Sequence, residues 1–382
     1  MAWRALSARR RPRLSAWGRW RRWAPLLLLA TVSVSGCGRS DGDPSSAGFF
    51  DSCPFWSADS RWIAFDRGPG GVATTDSRGR LAERNSDVYV AAADGQRLLR
   101  LTRTSAQDEV LGWLARPSAV VYRNQAGVFA IAPRQGAKPE RLGNLRPDDG
   151  VVTLSHDGRR AFVVQGNRSP PGSDPFLDPV THVDVVVDFT RQTRDELARG
   201  NGPGAEFAAW SPNDSTLAYA HDRNAFPFSE LVIVRGDRVV LSKRLIEVGG
   251  LAWSPDGRRL AYSSPGRDEA SQLWLLRLSD KIARKLTNRG HGGENTEPIW
   301  SSDGETIYYA SGGGLRSIAP SGTDDQRIAG EGVTCPALSP DGTRIAFNRL
   351  EPAGYFHLVW SLLILMQADG SHQQPIGAEA RP

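Results

Sequence analysis

Cysteine, methionine and long apolar runs are all scarce in this chain. Three Cys and two Met in 382 residues leave too few thiols for the disulfide frameworks that hold small secreted domains together. The apolar stretch from Ala24 to Val34 has 11 residues, where a helix spanning a bilayer core needs about 20, so a permanent transmembrane helix is not expected there. Acidic residues are missing from the first 36 positions, which hold eight Arg; the rest carries 39 basic and 42 acidic residues. The basic character therefore belongs to the leader, and a basic body suited to nucleic acid is excluded. Also missing are a Gly-x-Ser-x-Gly elbow, a His-Glu-x-x-His pair and a Gly-x-x-x-x-Gly-Lys-Ser/Thr loop. What is abundant is turn chemistry. With 40 Gly and 25 Pro, the chain is too rich in breakers for a helical fold, and at 40% apolar it is too hydrophobic for a disordered one.

The leader has an Arg-rich segment ending at Arg22, the short apolar stretch, and then Val34-Ser35-Gly36-Cys37. This resembles the lipobox of bacterial lipoproteins, which implies cleavage after residue 36 and acylation of Cys37. Residues 37–52 have almost nothing apolar to bury and read as a flexible tether. Residues 379–382 read as a frayed tail.

Between these ends one phrase recurs seven times: an aromatic or Leu, Ser, a small residue or Pro, Asp-Gly, two polar residues and an apolar triplet. Trp253-Ser254-Pro255-Asp256-Gly257 followed by Leu260-Ala261-Tyr262 is the clearest copy. Others begin at Leu154, Trp300 and Leu338, looser ones at Trp56 (Asp59-Ser60) and Trp210 (Asn213-Asp214), and Trp113 opens a copy that has lost Asp-Gly; the mean step is 47 residues. Pro presets φ, Asp bonds backbone amides, and Gly takes the positive φ that closes a hairpin. Alternating residues after the turn build a strand with one buried face. A third strand, a second turn and a fourth segment follow, and four strands per roughly 45 residues make a propeller blade. The fold expected over residues 53–378 is all-β, a β-propeller of four-stranded blades, seven in number, or six if the unit at Trp113 is not a blade.

These units resemble the WD40-like PD40 repeats of the TolB propeller family, most strongly in the fifth to seventh copies. Known members carry an α/β domain before the propeller. Here only Gly38 to Ser52 separates the acylated Cys from the first unit, so the resemblance implies the fold without carrying over a Tol–Pal role or any partner-binding residue.

Three insertions, Gly68–Asn85, Gly166–His182 and Leu350–Trp360, fall between second and third strands, on the face shared with the blade-to-blade links. Long loops on a rigid scaffold are frequent carriers of binding. Phe176, Leu177, Tyr355 and Phe356 are apolar residues that plain spacers would not need. His182, His221, His291 and His357 map to the same face, in four different units without close ligand spacing, and read as scattered loop histidines rather than a metal cluster. Glu109, Glu206 and Glu297 stand at the mouth, where an acidic rim would favour a cation or a basic peptide. No cofactor is expected. The leading function is an envelope lipoprotein whose propeller is a non-catalytic scaffold for a protein or peptide, held at the membrane by its lipid and monomeric. The other classes are a lyase or hydrolase acting on glycan or peptide at the channel mouth, and a purely structural component.

Cys53 and Cys335 occupy the same point of the first and last units, which ring closure makes neighbours. A bridge is expected in an exported protein; the alternative is two separate buried thiols in a repeated small-residue slot.

Overall fold

A computed structural model describes residues 49–69, 85–146, 149–166, 181–201, 204–222, 228–266, 270–287, 295–330, 332–353 and 358–376. The chain divides into Met1–Ser46 and Ala47–Pro382, and the described residues belong to the second unit. Five repeats form separate four-stranded antiparallel sheets with their strands in chain order, and the first and last repeats share one sheet. Blade three comprises Asp149–Leu154, Arg160–Gly166, Thr181–Asp188 and Thr193–Asn201; blade four comprises Gly204–Trp210, Thr216–Asp222, Phe228–Arg235 and Arg238–Ile246. The unit without Asp-Gly is also a blade, Glu109–Ala115, Ser118–Asn124, Gly127–Ile131 and Glu140–Arg141, its first turn made by Arg116-Pro117. The blade number is seven. Among the described residues there is no helix.

The recurring phrase is a hydrogen-bonded cassette. In blade five the Ser254 hydroxyl donates to Asp256 Oδ1 and accepts from the Arg259 amide, while Asp256 Oδ1 accepts from the Arg258 amide. Gly257, at φ +66°, donates its amide to the Ser254 carbonyl. The same contacts recur around Ser301–Asp303 and Ser339–Asp341. The Ser301 hydroxyl and Glu305 amide hold the Asp303 carboxyl below its ordinary value.

The aromatic residue that opens the phrase spaces the ring. The indole N–H of Trp113 donates to Phe55 O at 2.8 Å, Trp253 to Ala209 O at 2.9 Å, Trp300 to Ala252 O at 3.1 Å, and Trp56 to Ala337 O at 3.0 Å. Each bond joins the first strand of one blade to the first strand of the blade before it, so these strands form the innermost ring. The core lies between blades. Phe162 and Val164 of blade three pack with Trp210, Leu217, Tyr219 and Val232 of blade four, and each large apolar side chain so buried contributes about 1.5–3 kcal/mol.

Phe49–Asp51 corrects the expected tether, which was drawn through Ser52. This strand pairs antiparallel with Trp62–Pro69 of blade one and parallel with Leu358–Gln367 of blade seven, fusing both blades into a nine-stranded sheet. Asp51 is buried and accepts from Arg67 at 2.6 and 2.8 Å through both carboxylate oxygens. Its carbonyl accepts from the Asn348 amide group and the Ser361 hydroxyl. Cys53 and Cys335 are joined in a disulfide across the same seam, with Cα atoms 5.3 Å apart.

Candidate functional site

The inner strands carry β-bulges at equivalent points, with register shifts between Val110 and Gly112, Val151 and Thr153, Ala205 and Phe207, Thr296 and Ile299, and Thr334 and Ala337. A bulge re-aims the extra side chain, and Glu206, Glu297 and Cys335 are such residues. Glu206 is exposed. Glu297 turns inward, accepting the Cys335 amide at 3.1 Å, and burial raises its carboxyl above the ordinary value. Glu109 pairs with Arg123 at 2.7 Å. The three glutamates therefore do not form one acidic rim: one is exposed, one is ion-paired, and one braces a neighbouring backbone.

A carboxylate that the sequence reading passed over lies beside Glu109. Asp66 accepts the Val110 amide at 3.0 Å, and its own amide donates to Ser52 Oγ at 2.9 Å. Burial, with a smaller contribution from the Glu109 charge, pushes its carboxyl up to about 6 against the hydrogen bonds from Ser52 and Val110. The signal was present in the repeat. The residue following the apolar triplet is Arg123, Val164, Ala220, Ser263, Ala310 or Asn348 in the other six units, and a carboxylate only in the first.

The histidines need a larger correction. His182 and His221 are strand residues, 1% and 4% exposed, so neither offers its ring to a surface ligand. They are also not scattered, because blades three and four bring their ring centroids to 5.7 Å with Asp184 between them. His221 Nδ1 lies 3.1 Å and His182 Nε2 3.9 Å from Asp184 Oδ2, and His221 Nε2 lies 3.5 Å from Glu230 Oε2. His182 and Asp184 reach this point together because residues two apart share a face of a strand. Asp184 was the missed member. Its equivalents in the third strands of the other blades are Val88, Val128, Leu231, Leu273, Leu315 and Leu363, each wholly buried, as is Asp184.

A cleft of about 410 Å³ opens between blades four and five, lined by Phe228, Lys243, Arg244, Tyr262, Pro265 and Trp274 among others. Phe228 begins the third strand of its blade and Pro265 ends the second strand of the next, which places the cleft on the side of the second-to-third connections. The Arg244 guanidinium stands 4.1 Å over the Phe228 ring. Cys37, Phe176, Leu177, His291, Tyr355, Phe356 and His357 lie outside the described residues.

Architecture and repeat chemistry together define a seven-bladed β-propeller built from Asp-Gly hairpin cassettes. Residues 197–362 match the family described as "PD40: TolB beta propeller domain", and the protein carries a TolB-like PD40 propeller. Two curated proteins are similar over short stretches. One is a "Protein TolB homolog" of Chlorobium luteolum, 31% identical over 101 residues, 25% of this chain and 22% of that protein. The other is an "Uncharacterized peptidase YuxL" of Bacillus subtilis, 46% identical over 55 residues, 14% of this chain and 8% of that protein. The chain thus matches less than a quarter of the length of either. Among solved structures, a puromycin-hydrolyzing peptidase of Mycobacterium tuberculosis superposes with a TM-score of 0.61 at 16% identity, over 85% of this chain and 53% of that one. An oligogalacturonate lyase of Vibrio parahaemolyticus superposes with a TM-score of 0.55 at 12% identity, over 80% and 88%. At these identities the likeness is one of fold.

Proposed function

We propose that the protein is an exported envelope lipoprotein, anchored to the membrane through acylated Cys37, whose propeller binds a protein or peptide without catalysis. The observation that carries binding is the cleft between blades four and five, where Phe228 and Trp274 give apolar surface over a Tyr262 floor and Lys243 and Arg244 give positive charge. Such a cleft suits an extended segment bearing aromatic or aliphatic residues together with carboxylates. The test is capture from solubilised envelope by the acylated protein and by an Arg244→Glu, Phe228→Ala variant with the same melting temperature. A specific partner recovered by the first and lost by the second supports the reading, whereas equal recovery refutes the cleft. Anchoring is tested separately: Cys37→Ser should move the protein out of the membrane fraction or block its processing.

One observation favours an enzyme as the second reading, a lyase or hydrolase acting on glycan or peptide. Asp66, pushed up to about 6 beside Glu109, is a carboxyl poised to act as a general acid near neutral pH. Turnover of any such substrate that disappears in Asp66→Asn, with capture unchanged, would move the function to that reading.

A further inference from the structure

We propose that His182, Asp184 and His221 bind one divalent first-row transition-metal ion of the zinc class, and that the ion locks blade three to blade four. The first argument is substitution within the repeat. Six of the seven equivalent positions are aliphatic and wholly buried, and the seventh is Asp184, equally buried. An isolated carboxylate taken out of water there is strongly destabilising unless a positive charge meets it. Among the described residues no Lys or Arg pairs with Asp184; its partners are the two imidazoles. Asp184 Oδ1 is buried without a hydrogen-bond partner.

The second argument is geometry. The ligand atoms of the three side chains lie within 4.8 Å of one another, and two of the separations are 3.1 and 3.9 Å. Adjacent ligands held at about 2.0–2.2 Å from an ion are about 3.0–3.5 Å apart, so one separation already fits and the others close by side-chain rotation. Two imidazoles and one carboxylate are the donor set that borderline divalent ions take, with a position left for water.

The surroundings point the same way. Glu230 lies 3.5 Å from His221 Nε2, the nitrogen away from Asp184, and is itself bonded by the Ser242 hydroxyl. At that distance Glu230 is in contact with His221 Nε2 without a hydrogen bond to it, and a small closure would make it the carboxylate support that orients a ligating histidine. The His182 ring is seated between two glycines. A Cβ on Gly200 would stand 3.0 Å from its Cε1, and one on Gly204, which adopts φ +90°, would stand 3.2 Å from its Cγ and 2.4 Å from Val164 Cγ1. Both positions therefore leave room for the imidazole that a side chain would take. All three proposed ligands are at most 4% exposed, so the ion would be enclosed between the two blades.

The test uses the mature chain, stripped with a chelator and titrated with Co2+ and then Zn2+. The readouts are bound metal by elemental analysis, the visible Co2+ spectrum and the melting temperature. The expected result is one equivalent of Co2+ with a ligand-field spectrum, displaced by Zn2+, and a higher melting temperature in the loaded protein. Asp184→Asn and His221→Gln should lose stoichiometric binding, while Glu230→Gln should weaken it about 10–100-fold. His156→Gln, at a half-exposed histidine on the opposite hairpin face that pairs with Asp214, should leave binding unchanged. Substoichiometric metal on the wild-type chain with no change in melting temperature overturns the proposal, and this measurement needs no variant to fold. Binding kept by Asp184→Asn and His221→Gln but lost in His156→Gln overturns it equally.

Discussion

Between blades seven and one the ring is held by the chain itself: a disulfide, an extra strand, and a buried Arg67–Asp51 pair whose carboxylate is fully occupied. Between blades three and four it is held by ionisable side chains at both ends. On the hairpin face Asp214, at the position that is Gly in four of the other units, accepts the amides of His156 and Asp157 at 2.9 and 2.8 Å. On the other face stand His182, Asp184 and His221. The ordinary connection is absent here, because the Trp210 indole nitrogen is buried without a partner. Where the Trp bond fails, side-chain charge supplies the link between blades. The seam is closed by a covalent bond and backbone pairing, whereas this junction depends on charged side chains at single positions.

The largest expected effect is at the seam. Asp51→Ala strands a buried guanidinium and should destabilise the propeller by about 3–5 kcal/mol, measured by urea denaturation; a loss below 1 kcal/mol would show that the extra strand closes the ring without its ion pair. Cys335→Ser follows, with an expected loss of about 2–4 kcal/mol, and peptide mapping without reductant should find no free thiol at Cys53 or Cys335 in the exported protein. A third prediction sharpens the contrast between junctions. Trp300 and Trp210 both lie beneath an Arg, at 4.7 and 4.5 Å, but only Trp300 donates to the preceding blade. Trp300→Phe should therefore cost about 1 kcal/mol more than Trp210→Phe, and equal losses would remove the indole bond from the account.

The smallest effect concerns pH and the junction of blades one and two. Asp66 has its carboxyl raised in the folded state, from an ordinary 3.8 to about 6. The native protein therefore binds more protons than the unfolded chain between those values, and stability falls as pH rises through that window. Asp66→Asn should flatten this fall, and stability curves of the two proteins that stay parallel from pH 4 to pH 7 would contradict it.

Most of the architecture was legible because each unit repeats its own instructions. Ser254, Asp256 and Gly257 bond within six residues of chain, so their turn can be read from spacing alone, and Trp253 marks the inner strand that docks on its neighbour. The slot shared by Cys53 and Cys335 was legible for the same reason. The second blade shows how far this goes, since its turn keeps the blade after losing Asp-Gly.

The sequence by itself determined the blade, its hairpin cassette and the meeting of first and last units, because those rest on local hydrogen bonds repeated at a fixed period. Only the tertiary structure decided which departures from the repeat meet. His182 and His221 stand 39 positions apart without ligand spacing, and Asp184 hides in an apolar strand. They converge because adjacent blades face each other across a buried core. Glu297 was likewise turned from a mouth residue into a half-buried brace of the Cys335 amide by its bulge. A repeat encodes each blade locally, but the contacts between blades are long-range, and there a single substitution acquires meaning only from its neighbour in space.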